Sequence, residues 1–224
     1  MTPDLTLHYA PDNASLCVRL LLEEMETPYR TELVDRSMRA QKSESYLKIN
    51  PNGLIPTLQT PNGPIFETAA ILLWLADHTP GTVFPATTDP ARGSALATLF
   101  WLSNTLHHSL RLLFYANHYV PDAVNALRTQ TRLRLGDQFK QVNQAWDKSP
   151  HPVLACYLAP MLRWAALYGG DTAWFDLSKY PNLHSFAKTF EVRPAVHQAC
   201  VAEGLGQTPF SAPHLPNPPE GSAT

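Results

Sequence analysis

The chain has 224 residues, 44% of them hydrophobic and 16% charged, with a formal net charge of −2 at pH 7. That is long enough for one large domain or two modest ones, each with a real core. The near-neutral charge leaves no footprint for nucleic acid or a membrane surface, no apolar run reaches a membrane span, and no charged-then-apolar leader opens the chain. Cys17, Cys156 and Cys200 are odd in number and far apart, which fits a cytoplasmic protein with neither a disulfide framework nor metal-ligand spacing.

In chain order, Leu5-Thr6-Leu7-His8-Tyr9 alternates as a strand and stops at the turn Ala10-Pro11-Asp12-Asn13. A helix is expected over 15–24, a strand over 29–34 and a short helix over 43–49. Next comes Asn50-Pro51-Asn52-Gly53-Leu54-Ile55-Pro56-Thr57-Leu58, with a strand expected over 54–58. A turn at Thr60-Pro61-Asn62-Gly63-Pro64 leads to a strand at 65–66 and a helix over 69–76, opened by Glu67-Thr68. Pro56 cannot donate to a sheet ladder, so it suits a cis turn that leaves the Ile55 backbone open to a ligand. An acidic residue and a hydroxyl at a helix start, beside unpaired N–H groups, form a polar cradle for a peptide-like ligand with amine and carboxylate ends.

These residues, N-P-N-G, I-P and E-T in this order and spacing, resemble the N-terminal domain of the glutathione transferases. The resemblance implies an α+β protein: a thioredoxin-like domain followed by an all-α helical bundle. It implies that Ile55 pairs its backbone with the cysteinyl part of glutathione before cis-Pro56. Glu67 and Thr68 then hold the γ-glutamyl amine and carboxylate.

The remainder of the chain reads as helical, over 90–116, 122–146, 154–168, 183–190 and 194–203. Prolines at the starts of the late helices cost little, because the first N–H has no intrahelical partner anyway. The organisation is therefore 1–78 thioredoxin-like, 79–87 linker, 88–203 helical, and a proline-rich tail over 204–224 that is expected to be extended or disordered. The resemblance covers residues 5 to 203 and is more specific in the first domain than in the second.

In the family, a residue just after the first strand hydrogen-bonds the glutathione sulfur and favours the nucleophilic thiolate. Laid on the bacterial Cys-type (beta) class, Ala10-Pro11-Asp12-Asn13-Ala14-Ser15-Leu16 puts Ala14 at the cysteine position, and the asparagine-using classes align the same way. A one-residue shift brings Asn13 or Ser15 to the sulfur. Ser15 is equally a helix N-cap, and Asn13 equally a turn former. Tyr9 stands about where Tyr-type transferases keep their tyrosine, which places it with the substrate-pocket residues, and it also reads as a packed strand residue. Cys17 reads as a buried structural cysteine.

Trp101-Leu102-Ser103-Asn104-Thr105-Leu106-His107-His108-Ser109 resembles the beta-class segment whose histidine faces the thiol. The alternative is a pair of surface histidines. The likeness puts His107 in the cleft with His108 beside it, and Arg111 and Tyr115 one and two turns further on the second-substrate wall. Ser149-Pro150-His151-Pro152 lacks the capping box that the family carries before its next helix. The implied function is a cytoplasmic, homodimeric detoxifying transferase. It takes glutathione as substrate, needs no metal, and uses the thiol on a hydrophobic electrophile or in thiol–disulfide or lyase chemistry. The alternative is a non-catalytic module of the same fold that binds ligands or proteins. For dimerisation, Phe66 and Trp74 are the apolar candidates.

Overall fold

The β1 strand (Thr6–Tyr9) buries Leu7, His8 and Tyr9 in succession, because it runs through the middle of a sheet covered on both faces. It pairs in parallel with β2 (Arg30–Leu33) and antiparallel with β3 (Thr57–Thr60), and β4 (Gly63–Phe66) closes the order β2-β1-β3-β4. Pro64 is tolerated because β4 is an edge strand. With α1 (Ser15–Glu24), α2 (Glu44–Ile49) and α3 (Thr68–Asp77), the order is the thioredoxin-like one expected from the sequence. This computed structural model describes residues 4–146 and 150–223.

The strand expected over 54–58 begins only at Thr57. Residues 54–56 form a bend with a cis Ile55–Pro56 peptide, and ladder pairing starts where Thr57 faces Phe66. The proline lacks an N–H for the ladder, so the strand starts after it.

The helix expected over 90–116 is interrupted. α4 (Arg92–Trp101) passes through a π-helical stretch, Leu102–His107, into α5 (His108–Phe114), then breaks at Tyr115 before the single turn of α6 (Ala116–Tyr119). π turns cluster at functional sites, and this one carries Ser103, Asn104 and His107. The long α7 (Val124–Ala145) follows, then α8 (Pro152–Leu167), α9 (Pro181–Glu191) and α10 (Pro194–Ala202). Every residue of α8 from Val153 to Ala165 is buried, and the helix touches α1, α3, α4, α5 and α9, which makes it the axis of the molecule. It starts on Pro152 with no side-chain cap from His151, so the preset proline backbone stands in for the missing capping box. Ser149 lies outside the described residues. Among the described residues, no helix is long and apolar enough to cross a membrane.

The tail departs most from expectation. It has no regular structure, yet it is packed. Leu205 and Phe210 are buried, and Glu191 accepts hydrogen bonds from the Phe210 and Ser211 N–H groups and from the Ser211 hydroxyl. Arg163 of α8, fully buried, donates to the carbonyls of Pro209 (3.2 Å) and His214 (2.9 Å). At Gly204, with φ of 66°, the returning tail comes so close that a Cβ would lie 2.0 Å from the Asn217 carbonyl oxygen. Composition forecast the lack of periodicity. What it could not reveal is that buried charged groups elsewhere take up the tail's backbone.

Candidate functional site

Two cavities meet in the cleft between the sheet half and the helical half, and the bend before β3 forms the wall of one. The Leu54 carbonyl is held by the Tyr46 hydroxyl (2.7 Å) and the Asn50 amide (2.9 Å), and both groups also reach the Thr57 hydroxyl. Gly53 makes the preceding turn with φ of 59°, where any Cβ would press 2.8 Å from the Gln41 carbonyl oxygen. These contacts fix Leu54–Pro56 while the Ile55 N–H and carbonyl form no hydrogen bond with a described residue. The open backbone edge expected from the sequence is present.

Next to it, Glu67 stands at the N-cap of α3 with φ of 73° and ψ of 115°, an unusual conformation for a non-glycine residue. Its carbonyl accepts from Ile71, but its side chain makes no cap bond and no ion pair with a described residue, so the carboxylate is free for a ligand. Thr68 is buried beside it. Glu67, Thr68, Ile55, Pro56 and Asn50 line a cavity of about 520 Å³, closed from the helical half by Ser103, Asn104, His107 and His108.

The loop after β1 forms the opposite side, and it is clamped from beneath. Asp12, with φ of 51°, turns a fully buried carboxylate toward Arg163 (2.8 Å), Trp164 (3.0 Å) and Tyr168 (2.5 Å). Its N–H donates to Glu203 (2.8 Å), which also binds Arg19 (2.8 Å). Burial pushes the Glu203 carboxyl up to about 7 despite the arginine beside it. Sequence reasoning missed Asp12, Arg163 and Glu203, since partners 151 and 191 residues apart leave no local pattern.

Within this loop the structure separates the expected thiol-contacting residues. Ser15 is fully buried, bonded to the N–H and carbonyl of Ala10, and lines neither cavity. Its hydroxyl closes the turn instead of facing the cleft, against the expectation that it reaches the sulfur. Asn13 does face the cleft, but its amide donates to Pro11 and Ala223 and its carbonyl oxygen accepts from Arg36 at 2.9 Å. Tyr9, expected near the second substrate, is buried outside both cavities, with Arg19 over its ring and its hydroxyl donated to Glu220 of the tail. Burial, then the bond to Glu220, pushes the Tyr9 phenol well above its ordinary range. Cys17 is buried away from the cleft, where desolvation raises its thiol strongly. At the seam itself stands Ala14, and neither its N–H nor that of Ser15 is bonded to a described residue. At the start of α1 the Ala14 and Ser15 N–H groups are thus unpaired, while those of Leu16 and Cys17 are bonded to the Asn13 and Ala14 carbonyls.

His107 faces Ala14 from the helical half, with Nδ1 3.1 Å from the Tyr157 hydroxyl and its ring against Trp164. Burial, followed by the charges of Arg111 and His108, lowers it to about 4, so the ring is neutral at pH 7. A second cavity of about 360 Å³ opens beyond this point, lined by Phe114, Tyr115, Tyr168 and Arg128. The two cavities share Ala14, Ile55, His107 and Arg111. Of the expected second-substrate residues, His108 lines the first-described cavity, Tyr115 the second, and Arg111 both. Among the described residues, no three His, Cys, Asp or Glu side chains converge as a metal-binding group.

Known proteins share this architecture. Residues 14–78 match the family model for the glutathione S-transferase N-terminal domain. Over 209 residues the chain is 27% identical to the disulfide-bond oxidoreductase YfcG of Escherichia coli (strain K12), covering 89% of this chain and 96% of that protein. It is also 27% identical over 208 residues to glutathione S-transferase GST-4.5 of Xanthomonas campestris pv. campestris, covering 89% and 98%. A sphingomonad glutathione S-transferase solved with glutathione superposes with a TM-score of 0.76 at 28% identity, covering 90% of this chain and all (100%) of that one. The fold is the glutathione-transferase fold, with a thioredoxin-like half and a mostly helical remainder.

Proposed function

We propose that this chain is a glutathione transferase that holds glutathione along Ile55, Glu67 and Thr68 and presents its sulfur at Ala14. The single observation behind this reading is the run of free polar groups in one cavity. The Ile55 backbone edge, the unspent Glu67 carboxylate and the start of α3 lie along one wall, and Ala14, the N-cap of α1 with its N–H unpaired, lines the same cavity. A peptide amine meets Glu67, its carboxylate meets the α3 N-terminus, and its amide groups meet Ile55.

The sulfur then falls at the seam shared by both cavities. With alanine at position 14 and Ser15 turned inward, the partial positive charge of the α1 N-terminus favours the thiolate. Asn13 and neutral His107 flank it as hydrogen-bonding groups. The thiolate attacks an electrophilic carbon in the adjoining cavity, forming the C–S bond while the leaving group departs with the electron pair. Attack on a disulfide sulfur instead gives thiol–disulfide exchange. The lack of a hydroxyl or thiol side chain at Ala14 also favours a second reading, a glutathione-binding module with little turnover. A homodimer fits the exposed Phe66 of β4 and the partly exposed Trp74 of α3.

Calorimetry with glutathione tests the assignment. Glu67→Ala is expected to weaken binding about tenfold or more, the scale of one charge-assisted hydrogen bond. Unchanged affinity would remove Glu67 from the site. Aryl-halide conjugation and disulfide-reduction assays on the wild type then separate the transferase from the silent binder.

A further inference from the structure

The 360 Å³ cavity beyond the seam carries an excess of positive charge that the glutathione cradle does not use. Arg36, Arg111 and Arg128 all line it. Among the described residues each is bonded only to neutral acceptors: Arg36 to Asn13, Ala223 and the Tyr115 hydroxyl, Arg111 to the Tyr119 hydroxyl, and Arg128 to the Leu113 carbonyl. Among the described residues the one carboxylate on the cavity wall, Asp12, is fully buried and matched by Arg163. No described acidic residue therefore offsets the three guanidinium groups. Four aromatic side chains, Phe114, Tyr115, Trp164 and Tyr168, also line it, around a space the size of a substituted ring. Guanidinium forks recognise carboxylates and similar oxyanions, and aromatic walls recognise a flat apolar body.

We propose that this cavity selects an aromatic second substrate carrying a carboxylate or similar anionic group, which the arginines hold while the ring lies against the aromatic wall. The proposal rests on the transferase reading for its chemistry, but the charge preference belongs to the cavity itself. When the acidic probe reacts, the thiolate displaces chloride from the ring: the C–S bond forms, the C–Cl bond breaks, and chloride leaves with the electron pair.

The probes are 4-chloro-3-nitrobenzoate and its neutral analogue 4-chloro-3-nitrobenzamide, compared by kcat/KM with glutathione. Binding of 4-nitrobenzoate and 4-nitrobenzamide to the glutathione-loaded protein is measured by calorimetry in parallel. The acid is expected to be preferred about tenfold or more, and the preference should shrink as ionic strength rises. In Arg128→Gln and Arg36→Gln the acid-to-amide ratio should fall toward one. Equal use and equal binding of acid and amide by the wild type would overturn the proposal, as would an acid preference untouched by both substitutions. Charge selectivity confined to glutathione disulfide, with none for the aromatic acid, would also overturn it. If the protein binds glutathione but turns nothing over, the calorimetric comparison alone decides. If it fails to bind glutathione, the transferase reading falls, and the same comparison on the unloaded protein still tests the cavity.

Discussion

The two sides of the cleft are built in opposite ways. The cradle side, from Asn50 to Thr68, is one contiguous stretch that leaves the Ile55 backbone and the Glu67 carboxylate without a described partner. The loop side, residues 10–15, has its three polar side chains engaged, Asp12 and Asn13 with residues far along the chain and Ser15 with Ala10. Free groups are available to the proposed ligand, and engaged groups hold the backbone that would present its thiol. Substitutions on the cradle side should therefore alter binding with little effect on folding, and those on the loop side should do the reverse.

Asp12→Ala gives the largest contrast. It would strip the partner from an Arg163 that has no exposure, and leave the Trp164 and Tyr168 donors unmatched. Breaking a buried ion pair from one side costs roughly 3–5 kcal/mol, a large share of a total stability of about 5–15 kcal/mol. Urea unfolding should record that loss. The exposed Glu67→Ala should shift the same midpoint by no more than about 0.5 kcal/mol. Equal losses for the two variants would erase the distinction between the sides.

Ser15→Ala sharpens it further. The hydroxyl is bonded to both ends of Ala10 and touches neither cavity, so its removal should lower stability by about 1 kcal/mol. The thiolate absorbance titration of bound glutathione should stay where it is. A shift in that titration would return Ser15 to the sulfur and displace the α1 N-terminus as its main stabiliser.

The same contrast explains what the sequence made legible. The cradle was readable because each part is local: Gly53 for a turn with positive φ, Pro56 to stop a strand, Glu67-Thr68 to start a helix. The cis peptide, the open Ile55 edge and the order of elements along the chain were within reach for that reason. The loop was not readable in this way. Whether Ser15 faces the cleft or the turn is decided by a hydrogen bond to Ala10 that spacing cannot distinguish from a cap. Tyr9 is bonded to Glu220, a residue in a segment that composition alone assigns to extended or disordered chain. The tail's order depends on Arg163 and Glu191 taking up its backbone, and nothing periodic in the tail announces that.

His107 supplies the smallest effect and links the two sides, because it lines both cavities. Its ring titrates near 4 in the folded protein, against the ordinary 6.5, first because of burial and then because of Arg111 and His108. Between those values the unfolded chain binds a proton that the folded one does not. The ring's contribution to stability is therefore fully present above about pH 6.5 and is lost as pH falls toward 4. Glu203 acts with the opposite sign, since a carboxyl raised from 4.5 to about 7 makes stability fall as pH rises through that range. The His107 part is isolated by the difference in unfolding midpoint between wild type and His107→Gln across pH 4 to 7, alongside an NMR titration of the ring. The wild type should lose its relative advantage on the acid side, and the ring signal should not move until the pH is well below 6. A ring that titrates at 6 to 7 would mean an imidazole solvated enough to charge. His107 would then act at the sulfur as a cation and proton donor, not as the neutral group proposed here.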